Sequence, residues 1–143
     1  MTTIQLPFEK RTVFDGRGGG DLGQVTTAIA DVIGCRVGPI RLLNGVQGRT
    51  GGFGLAHLEF HANRMKQIKG LGFRDARTYV GFIAQDFEAI AAQAHQHRLM
   101  FLRERNGITH RLVSQWDEEL EIWSVTTAIP KTGISGLNIV WRK

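Results

Sequence analysis

The chain has 143 residues, 42% of them apolar, which suits a single domain with a core of its own and argues against a disordered chain. Its formal net charge is +5 and arginine outnumbers lysine 13 to 5, a bias toward planar two-pronged phosphate contacts that leans toward a polyanion partner, nucleic acid first. The lone cysteine, Cys35, excludes an internal disulfide and a multi-cysteine zinc site, and no apolar run reaches the ~20 residues of a membrane helix.

In chain order, residues 1–20 are expected to be a flexible N-terminal segment or linker, with Gly16, Gly18, Gly19 and Gly20 around Arg17. This cluster lacks the Lys and Ser/Thr of a phosphate-binding P-loop. No basic stretch followed by an apolar one opens the chain, so no signal peptide is expected. Residues 21–143 are expected to form one domain. Asp21 and Gln24 have capping-box spacing, and Val25, Ala28, Ile29, Val32 and Ile33 give a helical face that Gly34 ends. Cys35 then reads as packing. Pro39 to Leu43 reads as a short strand closed by Asn44-Gly45 and Gly48.

A glycine-rich loop, Gly51–Gly54, leads into a helix that stops near Gly70-Leu71-Gly72. Leu55, Leu58, Ala62 and Met65 form its apolar stripe; His57, His61 and Arg64 share the neighbouring stripe, while Glu59 and Lys66 point away. A further helix is predicted from Asp75, with Ala76, Tyr79, Val80, Ile83, Phe87, Ile90 and Ala94 at a period near 3.6 and an end near His95. The last third changes period. Strands are predicted over 99–105 and 108–116 around the hairpin dipeptide Asn106-Gly107, over 120–129 after an acidic turn at 117–119, and over 137–141. Pro130 is expected to stop the third. The resulting fold class is α+β: N-terminal helices followed by a four-stranded antiparallel β-meander.

The two histidines four residues apart have the spacing to share a metal ion, yet the glutamate between them is misplaced for a zinc-protease helix and no third ligand cluster is evident, so no metal is assigned. A histidine pair that merely borders the core is the plain alternative. General acid–base work is the third, and it suits imidazole near neutral pH. Cleaving RNA without a metal requires a base, an acid and groups that hold the phosphate charge. His57, His61, the arginines and the Thr126-Thr127 pair supply these types. With the hairpin at Asn106-Gly107, Glu104, Thr109, Arg111 and Thr127 lie on one sheet face, and Arg103, His110 and Thr126 on the other. Polarity does not choose between the faces, and a one-residue slip exchanges them.

The runs Pro39-Ile-Arg-Leu-Leu-Asn-Gly45, Gly54-Leu-Ala-His57-Leu58, His61 and Val125-Thr-Thr-Ala-Ile-Pro130 together resemble phage-type barnase/EndoU/colicin/RelE-like (BECR) nuclease domains, over about residues 38–143. Such domains are the C-terminal toxic modules of bacterial polymorphic and contact-dependent inhibition toxins. The resemblance implies a metal-independent endoribonuclease without cofactor, often directed at tRNA. It also implies a 2′,3′-cyclic phosphate product, a cognate immunity protein, no membrane partner, and action in the cytoplasm of a bacterial cell after delivery on a larger secreted toxin. His57 matches the family's helix histidine, and Thr127 the hydroxyl residue of the final motif. His61 lies close to a second histidine whose spacing varies, and Ile129 stands where an aromatic residue is usual. On this reading His57 and His61 divide the acid and base roles, Thr127 and Arg111 hold the phosphate, and Arg64, Lys66 and Arg103 steer RNA. His110 and Thr126 would complete the site if the other face is used. Two alternatives stay open: a non-catalytic nucleic-acid-binding module, and a toxin transferring a nucleotide or ADP-ribose, with the Gly51–Gly54 loop holding a phosphate.

Overall fold

The computed structural model describes residues 6–15, 19–93 and 97–143. Its strands are β1 (Gly23–Val25), β2 (Gly38–Arg41), β3 (Val46–Gln47), β4 (Gly52–Phe53), β5 (Ala89–Ala92), β6 (Arg98–Arg105), β7 (Ile108–Asp117), β8 (Ile122–Lys131) and β9 (Asn138–Arg142). The helices are α1 (Thr27–Ile33), α2 (Gly54–Phe60), α3 (Ala62–Gly70) and α4 (Ala76–Gln85). Asn106 and Gly107 both take positive φ, 53° and 79°, as a tight two-residue hairpin demands, and β6 and β7 pair along their length from there.

The expected architecture of helices followed by a four-stranded meander is overturned. The main sheet has seven strands in the order β1-β2-β8-β7-β6-β5-β9, with β2 parallel to β8 and the other pairings antiparallel. Three local misreadings account for the difference. Residues 23–25 are a strand, not a helix: the cap of α1 is Thr26, whose hydroxyl accepts from Ile29 N at 3.3 Å, and Asp21 pairs instead with Arg41. The helix expected to run on past Phe87 ends at Gln85, and Ala89–Ala92 pairs with both β6 and β9. There, continuous burial on both faces of a strand imitates helical spacing. Finally, β9 crosses to the far edge of the sheet beside β5 instead of returning beside β8. Ala94 and His95 lie outside the described residues.

Pro130 does not stop β8; it sits within the strand, opposite His110. β2 pairs with β8 only at Trp123 and Ser124, so this half of β8 has no strand on its other side and tolerates a residue without an N–H.

Alternate residues of the sheet feed two cores. Ile90, Phe101 and Leu112 join Tyr79, Val80 and Ile83 of α4, with Leu58 of α2 and Ile68 of α3. Ala89, Ala91, Met100 and Leu102 pack on the other face with Val113, Leu137 and Ile139. Each large side chain so buried contributes roughly 1.5–3 kcal/mol relative to exposure.

What positions the site is the departure of the chain from β2. After Arg41 it passes through Leu42 and Leu43 into the β3–β4 hairpin and then α2, which packs along the unpaired half of β8. The approach is very close. A Cβ on Gly45 (φ +73°) would lie 1.9 Å from the Phe53 carbonyl oxygen, and one on Gly54 (φ +74°) 2.5 Å from that of Leu43. Residue Phe53 gives α2 no side-chain cap; the N–H groups of Leu55 and Ala56 donate to the carbonyls of Leu43 and Asn44 at 3.0 and 2.9 Å. The same loop is strapped from outside: Val13 N donates to Leu42 O at 2.7 Å, Asn44 N to Arg11 O at 2.9 Å, and Lys10 pairs with Asp117. Among the described residues no helix is long and apolar enough to cross a membrane.

Candidate active site

His57 lies near the end of α2, half-buried, with Nδ1 2.6 Å from Oε1 of Gln47. The Gln47 amide nitrogen donates to Gly48 O at 3.0 Å, which turns its oxygen toward the ring. An amide oxygen can only accept, so His57 carries its proton on Nδ1 and leaves the Nε2 lone pair free. Burial pushes the His57 pKa below the usual imidazole value, and the positive charges of His61 and Arg64 push the same way.

The helix expected to carry both histidines breaks between them. His61 has φ −84° and ψ 89°, outside the helical region, and its carbonyl accepts from Met65 N at 2.9 Å to begin α3. The two imidazole rings nevertheless meet edge to face, 4.9 Å apart and 88° between planes. One turn on, Arg64 Nη1 donates to Thr127 Oγ1 at 2.9 Å.

Thr127 reaches this edge because β8 is bulged. Val113 faces Thr127 and Ser114 faces Val125, so Thr126 is the extra residue. Val125 and Ala128 then both enter the main core, and the two threonines occupy the step between them. Beside them lies a concavity of about 430 Å³ lined by Phe60, His61, Ala62, Asn63, Arg64, Gln67 and Ile129.

The other expected site residues are placed differently. Arg111 is 8% exposed; its Nη2 donates to Gly133 O at 2.9 Å, and its Nε has no partner among the described residues. Arg103 donates to Phe82 O at 2.6 Å, with its guanidinium 3.8 Å above the Phe82 ring centre. On the same sheet face as Arg103, His110 is buried among Phe73, Tyr79 and Phe82, with Nδ1 2.9 Å from the Tyr79 hydroxyl. Burial depresses its pKa, as do Arg105 and Arg103. Thr126 lines a separate cavity of about 390 Å³ with Lys10, Phe53, Arg98, Gln115 and Ser124. Lys66 is exposed on α3. The structure therefore brings together His57, His61, Arg64 and Thr127, and turns Arg111, Arg103 and His110 to other partners. Gln47 is a site residue the sequence reading missed. No periodic pattern marks a residue in a two-residue strand; only the hairpin pairing carries it to His57.

Among the described residues no group of three His, Cys, Asp or Glu side chains is arranged to hold a metal ion. Fold and site together define a domain of four helices on a mixed, mostly antiparallel seven-stranded sheet, with an imidazole pair and an arginine–threonine hydrogen bond on the open edge of β8. Comparison with family models, with curated proteins and with solved structures gives no match for this chain.

Proposed function

We propose that the open edge of β8 is the active site of a metal-independent endoribonuclease, acting on tRNA as the toxic module of a larger bacterial toxin. The observation that carries the reading is the meeting of two imidazoles at 4.9 Å beside an arginine hydrogen-bonded to a threonine. His57, held neutral with Nε2 free, takes the proton of a ribose 2′-hydroxyl. The 2′-oxygen forms a bond to phosphorus as the bond to the 5′-oxygen breaks, and His61 delivers a proton to that leaving oxygen. The products are a 2′,3′-cyclic phosphate and a 5′-hydroxyl. Thr127 Oγ1 already accepts from Arg64, so its own proton is available to a non-bridging oxygen, and Arg64 neutralises the charge there. Arg64 thus takes the role first given to Arg111, whose guanidinium is engaged by Gly133. An acidic immunity protein covering this edge complements the +5 charge.

The test is expression in bacteria of the wild-type chain and His57→Ala, with total RNA separated on a denaturing gel, and the purified protein assayed in excess chelator. Discrete tRNA fragments ending in cyclic phosphate, weakened roughly 10²- to 10⁴-fold by His57→Ala, are expected. Intact RNA from purified protein across several pH values would show the reading to be wrong.

A further inference from the structure

Phe60 is 64% exposed at the end of α2, an apolar ring that the fold leaves in water. It stands edge to face with His61, ring centres 5.6 Å apart. Asn63 and Gln67, one turn apart on α3, line the same concavity, and Ile129 of β8 closes it. Both amide side chains are exposed, and among the described residues neither makes a hydrogen bond. The cavity therefore offers an aromatic face, two neutral groups that each donate and accept, and a cation, Arg64, at its rim.

We infer that this concavity is a subsite for one unpaired adenine base, belonging to the nucleotide whose 5′-oxygen leaves. The inference rests on the proposed nuclease reading for its place in the reaction, since His61 protonates that oxygen and Phe60 adjoins His61. A base stacked on Phe60 lies in the concavity that Asn63 and Gln67 also line. The paired donor and acceptor of an Asn or Gln amide match N6 and N7 of adenine. A base must be splayed out of a helix to stack on a side chain, so the substrate is single-stranded at this point. Neutral amides add base discrimination that the arginines, which bind any phosphate, do not.

The test reads binding without cleavage. A fluorescent five-nucleotide RNA is made with abasic sugars at four positions and adenine, guanine, cytosine, uracil or no base at the fifth. Its affinity is measured for the His57→Ala protein, then with Phe60→Ala, with Asn63→Ala and Gln67→Ala together, and with Phe14→Ala as a control for loss of another exposed ring (61%). The adenine probe is expected to bind roughly 10- to 100-fold more tightly than the abasic one, the range of a single base stack. Phe60→Ala erases that difference, the double amide variant removes the preference for adenine, and Phe14→Ala changes neither. Equal binding of adenine and abasic probes, preference for another base, or an unaltered preference in the Phe60 variant overturns the subsite. If the wild-type chain binds adenine in this way but cuts no RNA, the nuclease reading falls and the subsite stands; cleavage without base preference is the reverse.

Discussion

At the scale of single residues, the His57 ring is fixed by one neighbour and kept from protonating by others. Gln47 sets its tautomer, while burial, then His61, then Arg64 hold its pKa below the usual 6.5. A general base must be neutral, so in the proposed reaction kcat/KM rises with pH through the His57 pKa, and that acid limb lies below pH 6.5. Arg64→Gln removes one of the charges that lower the pKa, so the limb moves to higher pH while the plateau rate drops by about 10²-fold from the lost phosphate contact. A pH–rate profile of the two proteins checks this; an unmoved limb would mean that Arg64 does not act on His57. His57, His61 and Arg64 are readable as a group from their spacing, because positions four and then three apart stay neighbours across the break at His61. Gln47 is not readable, since nothing in its own vicinity points at a ring ten residues on. Arg111 is a different case. A buried guanidinium and a phosphate-binding one look alike in sequence, and only the carbonyl of Gly133 tells them apart.

Among elements, the decisive piece is the passage from β2 to α2. It carries α2 against β8 by bringing backbone to backbone at Gly45 and Gly54. The glycines at these two positions satisfy positive φ and close approach together, which alanine cannot. Gly45→Ala is expected to cost more than about 2 kcal/mol, from the left-handed φ and from a Cβ driven into the Phe53 carbonyl. Urea unfolding measures it. Gly70→Ala, at a helical residue with open space where the Cβ would stand, is the control and is expected to be neutral or slightly stabilising. Equal midpoints for the two variants would argue against the close approach. The sequence shows the glycines and the helix but not this purpose, and a loop of glycines ahead of a helix reads just as well as a phosphate cradle. Here the N–H groups of Leu55 and Ala56 are already taken by Leu43 and Asn44. The bulge at Thr126 is hidden for a related reason: alternation along β8 is legible up to Val125 and resumes at Ala128, and no residue type announces the step between.

For the whole molecule, local signals mark the longer strands β6 to β9, miss the short β1, β3, β4 and β5, and say little about which strands are neighbours. The hairpin at Asn106-Gly107 declares its own pairing, but the loop before β9 contains nothing that says whether the last strand turns back on β8 or crosses the sheet. The crossing matters to the site. A hairpin return would lay β9 along the half of β8 that β2 leaves unpaired, where α2 and Arg64 now stand. β9 instead joins β5, with Trp141 opposite Ile90 and its ring 5.6 Å from that of Phe87. Burial of Trp141 against the main core and α1 packed on β9 hold it there. Trp141→Ala is expected to cost about 2–3 kcal/mol, below the range for a fully buried tryptophan because this one is partly exposed. A double-mutant cycle with Phe87→Ala separates docking from simple loss of apolar area: ring contact predicts a coupling of roughly 0.5–1.5 kcal/mol. Strictly additive effects would mean that the two rings do not meet and that β9 is not on this edge. A measured coupling anchors the last strand beside β5, and with it the vacancy beside β8 that the histidine helix fills.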